Sequence, residues 1–312
     1  MAGYDFDKRL LFFEIETTEG TDPTPVAADA IVTRGLQPVT PEADVRTRNI
    51  DGQYFGARPQ TKSSIRGRTG FEVEIAGGGA ATTVPPWMKL LRVCGLDAGT
   101  VGGSSVVQAP ISASIPSATL WDYTDTLKQP VNGARGNARL TFEDDQYPFF
   151  SLDMLGYIPS TPVTDASPAT PDVSAFQAPV LVNNDNTVIT LDGYALEVRR
   201  VEFNLGSIIV PRSFVGSIDR VKYRNREMTC TIIAKCPTLA SKNYFGNVAP
   251  STQIDLTVTH GTDAGHIIEV NAPTMEVGVI TMSDEEGDVM VNIPGRLVPT
   301  DAGNDELTIT TS

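Results

Sequence analysis

Residues 131–159 read VNGARGNARLTFEDDQYPFFSLDMLGYIP, and this stretch decides the fold. Arg139, Thr141 and Glu143 alternate with Leu140 and Phe142, a two-residue period that sends side chains to opposite faces of a strand. Asp144, Asp145 and Gln146 supply a turn, and Phe149, Phe150, Leu152 and Met154 carry the chain back. The expectation is a long β-hairpin with an acidic tip. Residues 270–299, VNAPTMEVGVITMSDEEGDVMVNIPGRLVP, offer a second copy in which residues 282–287 take the place of residues 142–147. Both copies open on Val-Asn and close on an apolar residue followed by proline.

A chain of 312 residues exceeds the size at which one compact core is the default, so two domains are expected, in agreement with the doubled hairpin. The proline-rich segment PSTPVTDASPATPDVSAFQAP, residues 159–179, reads as a semi-extended linker or arm. It divides the chain into a first domain, residues 1–158, and a second, residues 180–312. With 27 glycines and 22 prolines, turns are favoured over long helices. A net charge of −14 repels nucleic acid and anionic membrane, because tight backbone binding needs clustered cations that release counterions. No long apolar run and no signal-peptide pattern stands in the sequence, which reads as made and folded in a cytoplasm. Cys94, Cys230 and Cys236 fit neither a disulfide framework nor a metal knuckle and read as free buried thiols.

Element order repeats along the chain. Residues 10–16 read as a short strand, and the polar, arginine-bearing residues 41–64 as a long exposed loop. Arg66 and Arg68 lead into an alternating strand, Phe71, Val73, Ile75. Residues 85–96, PPWMKLLRVCGL, begin with proline, end with glycine, and space Trp87, Leu90, Leu91 and Cys94 as one face of a short helix. In the second half, residues 195–203 alternate as a strand and residues 211–223 form a shorter polar connector. Arg224 and Arg226 then lead into another strand, residues 238–249 occupy the place of the helix more weakly, and residues 254–259 alternate again before the second hairpin.

Catalytic patterns are not found. His260 and His266 flank a glycine-containing turn with Asp263 as the one conceivable companion, short of the three or four donors a metal needs, and read as structural or exposed. No Gly-x-Ser-x-Gly elbow occurs, and Gly77-Gly78-Gly79 and Gly102-Gly103-Ser104 lack the continuation of a phosphate cradle. Asp144-Asp145 and Asp284-Glu285-Glu286 admit an acid–base or calcium reading, but at hairpin tips clustered carboxylates also simply keep a turn wet. Arg66, Arg68, Arg135, Arg199, Arg200, Arg224 and Arg226, mixed with many acids, read as ion-pair partners between strands or subunits rather than a DNA patch. The sum is a building block rather than an enzyme, with no cofactor implied.

The order of a long loop, Arg-x-Arg into FEVEIAGG, then PPWMKLLRVCGL, then NGARGNARLTFEDDQYPFFSLDMLGYI, resembles the major tail tube proteins of long-tailed, non-contractile bacteriophages. Residues 195–206, ALEVRRVEFNLG, carry the same likeness into the second half. The resemblance implies an all-β fold with minor α, a β-sandwich with a flanking helix. Typical members carry one such domain and form hexameric rings, and the repeated element order makes this chain depart from them with two tandem tail-tube-type β-sandwich domains, each with a short flanking helix. It implies rings whose strands line a tube, stacked through a long loop and terminal arms, with DNA passing without specific binding. An acidic lumen wall would suit that passage.

On this reading the lumen-wall hairpins are Arg139, Thr141, Glu143, Asp144 and Asp145 with Asp284, Glu285 and Glu286. Arg46, Arg48, Asp51, Tyr54 and Arg58 mark the ring-stacking loop, and Arg66, Arg68, Arg224 and Arg226 the ion pairs between subunits. Two domains per chain predict trimeric, pseudo-hexameric rings, and a single true domain with a decoration predicts hexamers. Expected partners are further copies of the chain and the tape measure, tail terminator and distal tail proteins, with no membrane, in a virion tail assembled in the host cytoplasm. Two rivals stand beside it: a terminator, distal tail or baseplate hub ring, and, from another class, a carbohydrate- or receptor-binding β-sandwich, which calls for an exposed aromatic platform or paired acids in a cleft. Trp87 reads as helix core, and Trp121 beside Tyr123 does not by itself make such a platform.

Overall fold

The computed structural model describes residues 3–248 and 252–312. Ten strands come from the first half: β1 (Arg9–Ile15), β2 (Ala30–Ile31), β3 (Thr40–Thr47), β4 (Gln60–Glu74), β5 (Thr100–Val101), β6 (Val106–Gln108), β7 (Ala118–Thr124), β8 (Leu127–Glu143), β9 (Phe149–Tyr157) and β10 (Thr164–Asp165). Eleven follow: β11 (Thr187–Leu191), β12 (Tyr194–Ala195), β13 (Val198–Asn204), β14 (Ser207–Arg212), β15 (Arg220–Arg226), β16 (Thr229–Lys235), β17 (Gln253–His260), β18 (Ile268–Val277), β19 (Thr281–Glu285), β20 (Asp288–Leu297) and β21 (Thr308–Thr311). Among the described residues α1 (Met88–Arg92) is the single α-helix. The protein is all-β with minor α, as the alternating sequence requires.

The hairpin of residues 131–159 forms as expected, with Thr141 opposite Phe149 and Leu140 opposite Phe150. Asp145 takes a left-handed conformation at the tip, which its short polar side chain tolerates. β8 is longer than a hairpin arm, because its first half belongs to a different sheet. Residues 127–134 pair with β7, residues 139–143 with β13, and the register slips between Asn132 and Arg135. Gly133 sits in that bulge at φ 63°, where a side chain would be strained. The buried Glu16 carboxylate holds the bend, accepting hydrogen bonds from the amides of Gly20 (2.7 Å) and Gly133 (2.7 Å) and from the hydroxyls of Ser117 (2.6 Å) and Thr119 (2.7 Å).

One sheet runs through both halves, in the order β3–β4–β9–β8–β13–β16–β20–β19. Its inner face carries the alternating apolar residues Phe71, Val73, Leu140, Phe142, Phe150, Val201, Phe203 and Ile232, all buried. Two shorter sheets cover that face to complete a sandwich. One is β2–β1–β7 with the start of β8 and then β10, and the other is β12–β11–β17–β18–β21–β6–β5. β18 passes from the second of these into the long sheet, where residues 275–277 pair with β20, much as β8 does in the first half. A single buried cluster extends across both halves.

Pairing order recurs between the halves. β1 pairs β2 and β7, β7 pairs β8, β8 pairs β10, and β4 pairs β9, which pairs β8. In the same places β11 pairs β12 and β17, β17 pairs β18, β18 pairs β21, and β16 pairs β20, which pairs β19 and the end of β18.

Several local expectations need correction. Residues 41–64 are not a loop but mainly a β-hairpin of β3 and the outer part of β4, with residues 48–59 as its irregular tip. Residues 211–223 likewise contribute to the hairpin β14–β15, which the sequence hides because Val221 is its one fully buried strand residue and Ile208, Ile209 and Val210 run together without a two-residue period. Gly206, at φ 59°, separates this outer hairpin from β13–β16; a Cβ there would overlap the Glu227 carbonyl oxygen. Residues 159–179 are not a free spacer. β10 pairs with the start of β8, the Asp172 amide donates to the Ala27 carbonyl (2.9 Å), and Phe176 packs on the core. In place of a second helix there is one 3-10 turn, Phe245–Asn247, and Ala249 lies outside the described residues.

Candidate functional site

The outer face of the long sheet is polar because the two-residue period that buries Leu140 and Phe142 sends Arg139, Thr141 and Glu143 the other way. Arg139 is exposed, Glu143 half-buried, and Thr141 buried between its ladder neighbours Phe149 and Glu202. Charges of both signs interleave on this face. Arg34 meets Glu72 (2.8 Å), Arg68 meets Asp153 (2.6 Å), and Arg200 meets Glu202 (2.5 Å). The face is therefore an ion-paired lattice rather than a uniformly acidic wall. Each half-exposed pair stabilises by no more than about 1 kcal/mol. Their effect is on the field above the sheet, which paired charges largely cancel.

The two acidic tips come together at one arginine. Arg199 sits in a β-bulge of β13, whose register slips between Val198 and Arg200, and the bulge re-aims its side chain. Its guanidinium lies 3.0 Å from Asp144 of the first tip and 3.6 Å from Glu285 of the second. Lys235 reaches Asp288 (3.0 Å) beside them. A groove of about 480 Å³ runs between the tips, lined by Asp144, Arg199, Lys235, Glu285, Glu286 and Asp288. Asp145 and Asp284 are exposed at the tips.

At the other end of the strands stand two long hairpins. Arg46 lies on exposed β3, and Arg48, Asp51, Tyr54 and Arg58 fall in the tip that joins it to β4, where the Arg58 guanidinium donates to the Ile50 carbonyl (2.9 Å). Tyr54 and Phe55 project into solvent there. The β14–β15 hairpin, on the neighbouring pair of strands, carries Phe214, Val215 and Ile218 exposed in the same way. Its aromatic tip is the functional candidate that periodicity missed, and the one legible signal was its place after Arg199 and Arg200 in the repeated element order.

The four arginines singled out for contacts between subunits mostly spend their charge within the chain. Arg66 meets Asp44 (3.1 Å), Arg68 meets Asp153, and Arg226 meets Glu306 (2.5 Å) while donating to the Ile111 carbonyl (2.7 Å). Arg224 makes no ion pair among the described residues. Arg135, buried at the bend of β8, binds Glu19 (2.6 Å) and the carbonyls of Ile115 and Val221, tying the first half to the β14–β15 hairpin.

Neither histidine joins a donor set. His260 is buried, with Nδ1 2.8 Å from the Thr187 hydroxyl and its ring against Phe142, and burial pushes its pKa down. Cys94 and Cys230 are buried free thiols, the latter pushed up to about 12 by burial, and Cys236 is half-buried. Trp87 is core, donating its indole N–H to the Ala76 carbonyl (2.8 Å). Trp121 is covered on one face by Lys128, so it does not present an open aromatic platform.

A doubled strand order, a long sheet with one polar face, and hairpins projecting from its ends describe a part meant to join others. Residues 7–297 match the family described as phage tail tube protein. The chain belongs to this phage tail tube protein family. The match spans both halves and the segment between them, so it covers the long sheet, both tips and both projecting hairpins. No curated protein matches the chain. As a tail tube protein it is a structural component of a bacteriophage tail, and the family's role implies self-assembly into a tube. No helix among the described residues is long and apolar enough to cross a membrane.

Proposed function

We propose that the protein is the major subunit of the tail tube, stacking as rings into the conduit through which double-stranded DNA leaves the virion. The supporting observation is the recurrence of one pairing order in both halves along a continuous sheet. We read it as two tandem tail-tube units, residues 1–158 and 180–312, so that one chain occupies two sixths of a ring and three chains close it. Three copies of the eight-stranded run give a 24-stranded wall. Barrels of about 16–18 strands already enclose an aqueous channel, so such a ring leaves its lumen open.

In this arrangement the polar face looks inward. Arg34, Arg68 and Arg200 on it are held by carboxylates, and paired cations do not release counterions from a phosphate backbone, so DNA slides past without adhering. Tyr54, Phe55, Phe214 and Val215 on the two projecting hairpins stack each ring on the next, burying apolar surface left exposed in the single chain. The tape measure, terminator and distal tail proteins act at the ends or inside of this tube, and assembly proceeds in the host cytoplasm. Electron microscopy of the purified protein tests the reading. Open tubes of many stacked rings are expected, whereas a single capped ring assigns it to a terminator or hub and a persistent monomer removes the reading.

A further inference from the structure

The long sheet has two unpaired edges. β19 pairs with β20 on one side only, and its five residues are all exposed. At the far edge residues 32–38 run beside β4, held by the Arg34–Glu72 bridge and the Gln37 amide on the Gly70 carbonyl (2.8 Å). Unpaired edges of this length are a template for further strands, and native proteins cover or blunt them.

Inside the chain the corresponding edges are already joined, and this internal junction fixes a register. Matching the fully buried Val73 of β4 to the fully buried Ile232 of β16, Val73 faces Phe150 as Ile232 faces Ile293, and one residue on, Phe149 faces Thr141 as Asn292 faces Thr281. Thr281 is therefore the counterpart of Thr141, and Met282 of Phe142. On the other strand, Arg34 faces Glu72 as Glu202 faces Thr231, which makes Arg34 the counterpart of Glu202. Within the chain, Thr141 pairs with Glu202 and Phe142 with Val201.

We propose that β19 of one copy pairs antiparallel with residues 32–36 of the next copy, with Thr281 opposite Arg34, Met282 opposite Thr33 and Ser283 opposite Val32. This inference rests on the tail tube reading. Exposure supports it independently: Phe142 at the internal junction is 1% exposed, whereas its counterpart Met282 at the free edge is 67% exposed. A second copy of the same chain is the occupant that supplies both a matching strand and the buried side for Met282. The contact is head-to-tail, so it repeats around a closed ring rather than stopping at a dimer.

The test is a double variant, Ser283→Cys with Val32→Cys, assembled and then oxidised. Directly opposed residues in an antiparallel pair bring Cβ atoms within disulfide reach. Non-reducing gels should show covalent oligomers up to the ring size, absent from either single variant and from Ser283→Cys with Leu36→Cys, which is four residues out of register. Met282→Lys is the second arm. It should abolish assembly while the monomer keeps its melting temperature, since the side chain is free in the single chain. Intact tubes without the cross-link, or normal assembly of Met282→Lys, overturn the seam and leave the tube reading standing. Failure of the unmodified protein to assemble at all overturns the tube reading, and the seam with it.

Discussion

In the proposed correspondence between the halves Phe142 and Met282 hold matching places at the ends of the two acidic-tipped hairpins, yet one is 1% and the other 67% exposed. Phe142 has β13 beside it and the His260 ring against it. Met282 lies on β19, where the chain supplies no further strand. The contrast teaches that burial in this molecule is set by what comes next along the sheet, not by the hairpin's own sequence. The same holds for the projecting hairpins, whose aromatic tips are exposed in both halves. What differs between the halves is the packing around the shared frame: α1 and β5–β6 follow β4, whereas a 3-10 turn lies between β16 and β17.

The sharpest way to probe that contrast is to truncate both residues. Phe142→Ala should cost about 3–5 kcal/mol of unfolding free energy, as deletion of a buried aromatic does. Met282→Ala should stay within about 0.5 kcal/mol in the monomer, as for an exposed site. Denaturant unfolding of the two variants decides this, and equal costs would dissolve the distinction between junction and edge. Next in size is Glu16→Gln. Four donors converge on that carboxylate, and an amide would place N–H groups against some of them, so about 2 kcal/mol should be lost. A neutral effect would mean that the bend in β8 is held by Gly133 alone.

A smaller effect is tied to pH. Burial lowers the pKa of His260 below its unfolded value, so the stability it contributes is present above the ordinary histidine range and is lost as pH falls through the folded value. His260→Gln should flatten that acid-side decline in melting temperature while leaving the neutral-pH value nearly unchanged. An undiminished decline would assign it to other groups. Smallest of all, Arg199→Ala should change monomer stability by less than about 0.5 kcal/mol, because its partners are half exposed. A loss of several kcal/mol would show that the bridge between the two tips holds the sheet together.

Much of this was legible in the sequence. Alternation in residues 139–143 and 149–154 located the first hairpin, and repeated element order located the second, because both depend on a local two-residue period. Tail tube membership followed from the same residues. The β3–β4 and β14–β15 hairpins were missed for a physical reason: β3 buries no residue and β14–β15 fully buries only Val221, so no sustained two-residue apolar rhythm marks either. The convergence of Asp144 and Glu285 on Arg199 was equally hidden, since it depends on a bulge and on partners 55 and 86 positions away. Arginines expected to reach other subunits turned inward to Asp44, Asp153 and Glu306, acids whose proximity only the folded sheet creates. The segment of residues 159–179 looked like a tether because proline content resembles one, whereas the pairing of β10 with β8 and the packing of Phe176 bind it to the body.

The central claim is that one chain supplies two equivalent parts of a ring. Electron microscopy of assembled tubes, with the copy number per ring counted directly, tests it most plainly. Three chains per ring, with sixfold-like density in which β8–β9 and β19–β20 alternate around the lumen, is the predicted result. Six chains per ring, or a lumen lined by one of the two hairpins alone, would contradict it.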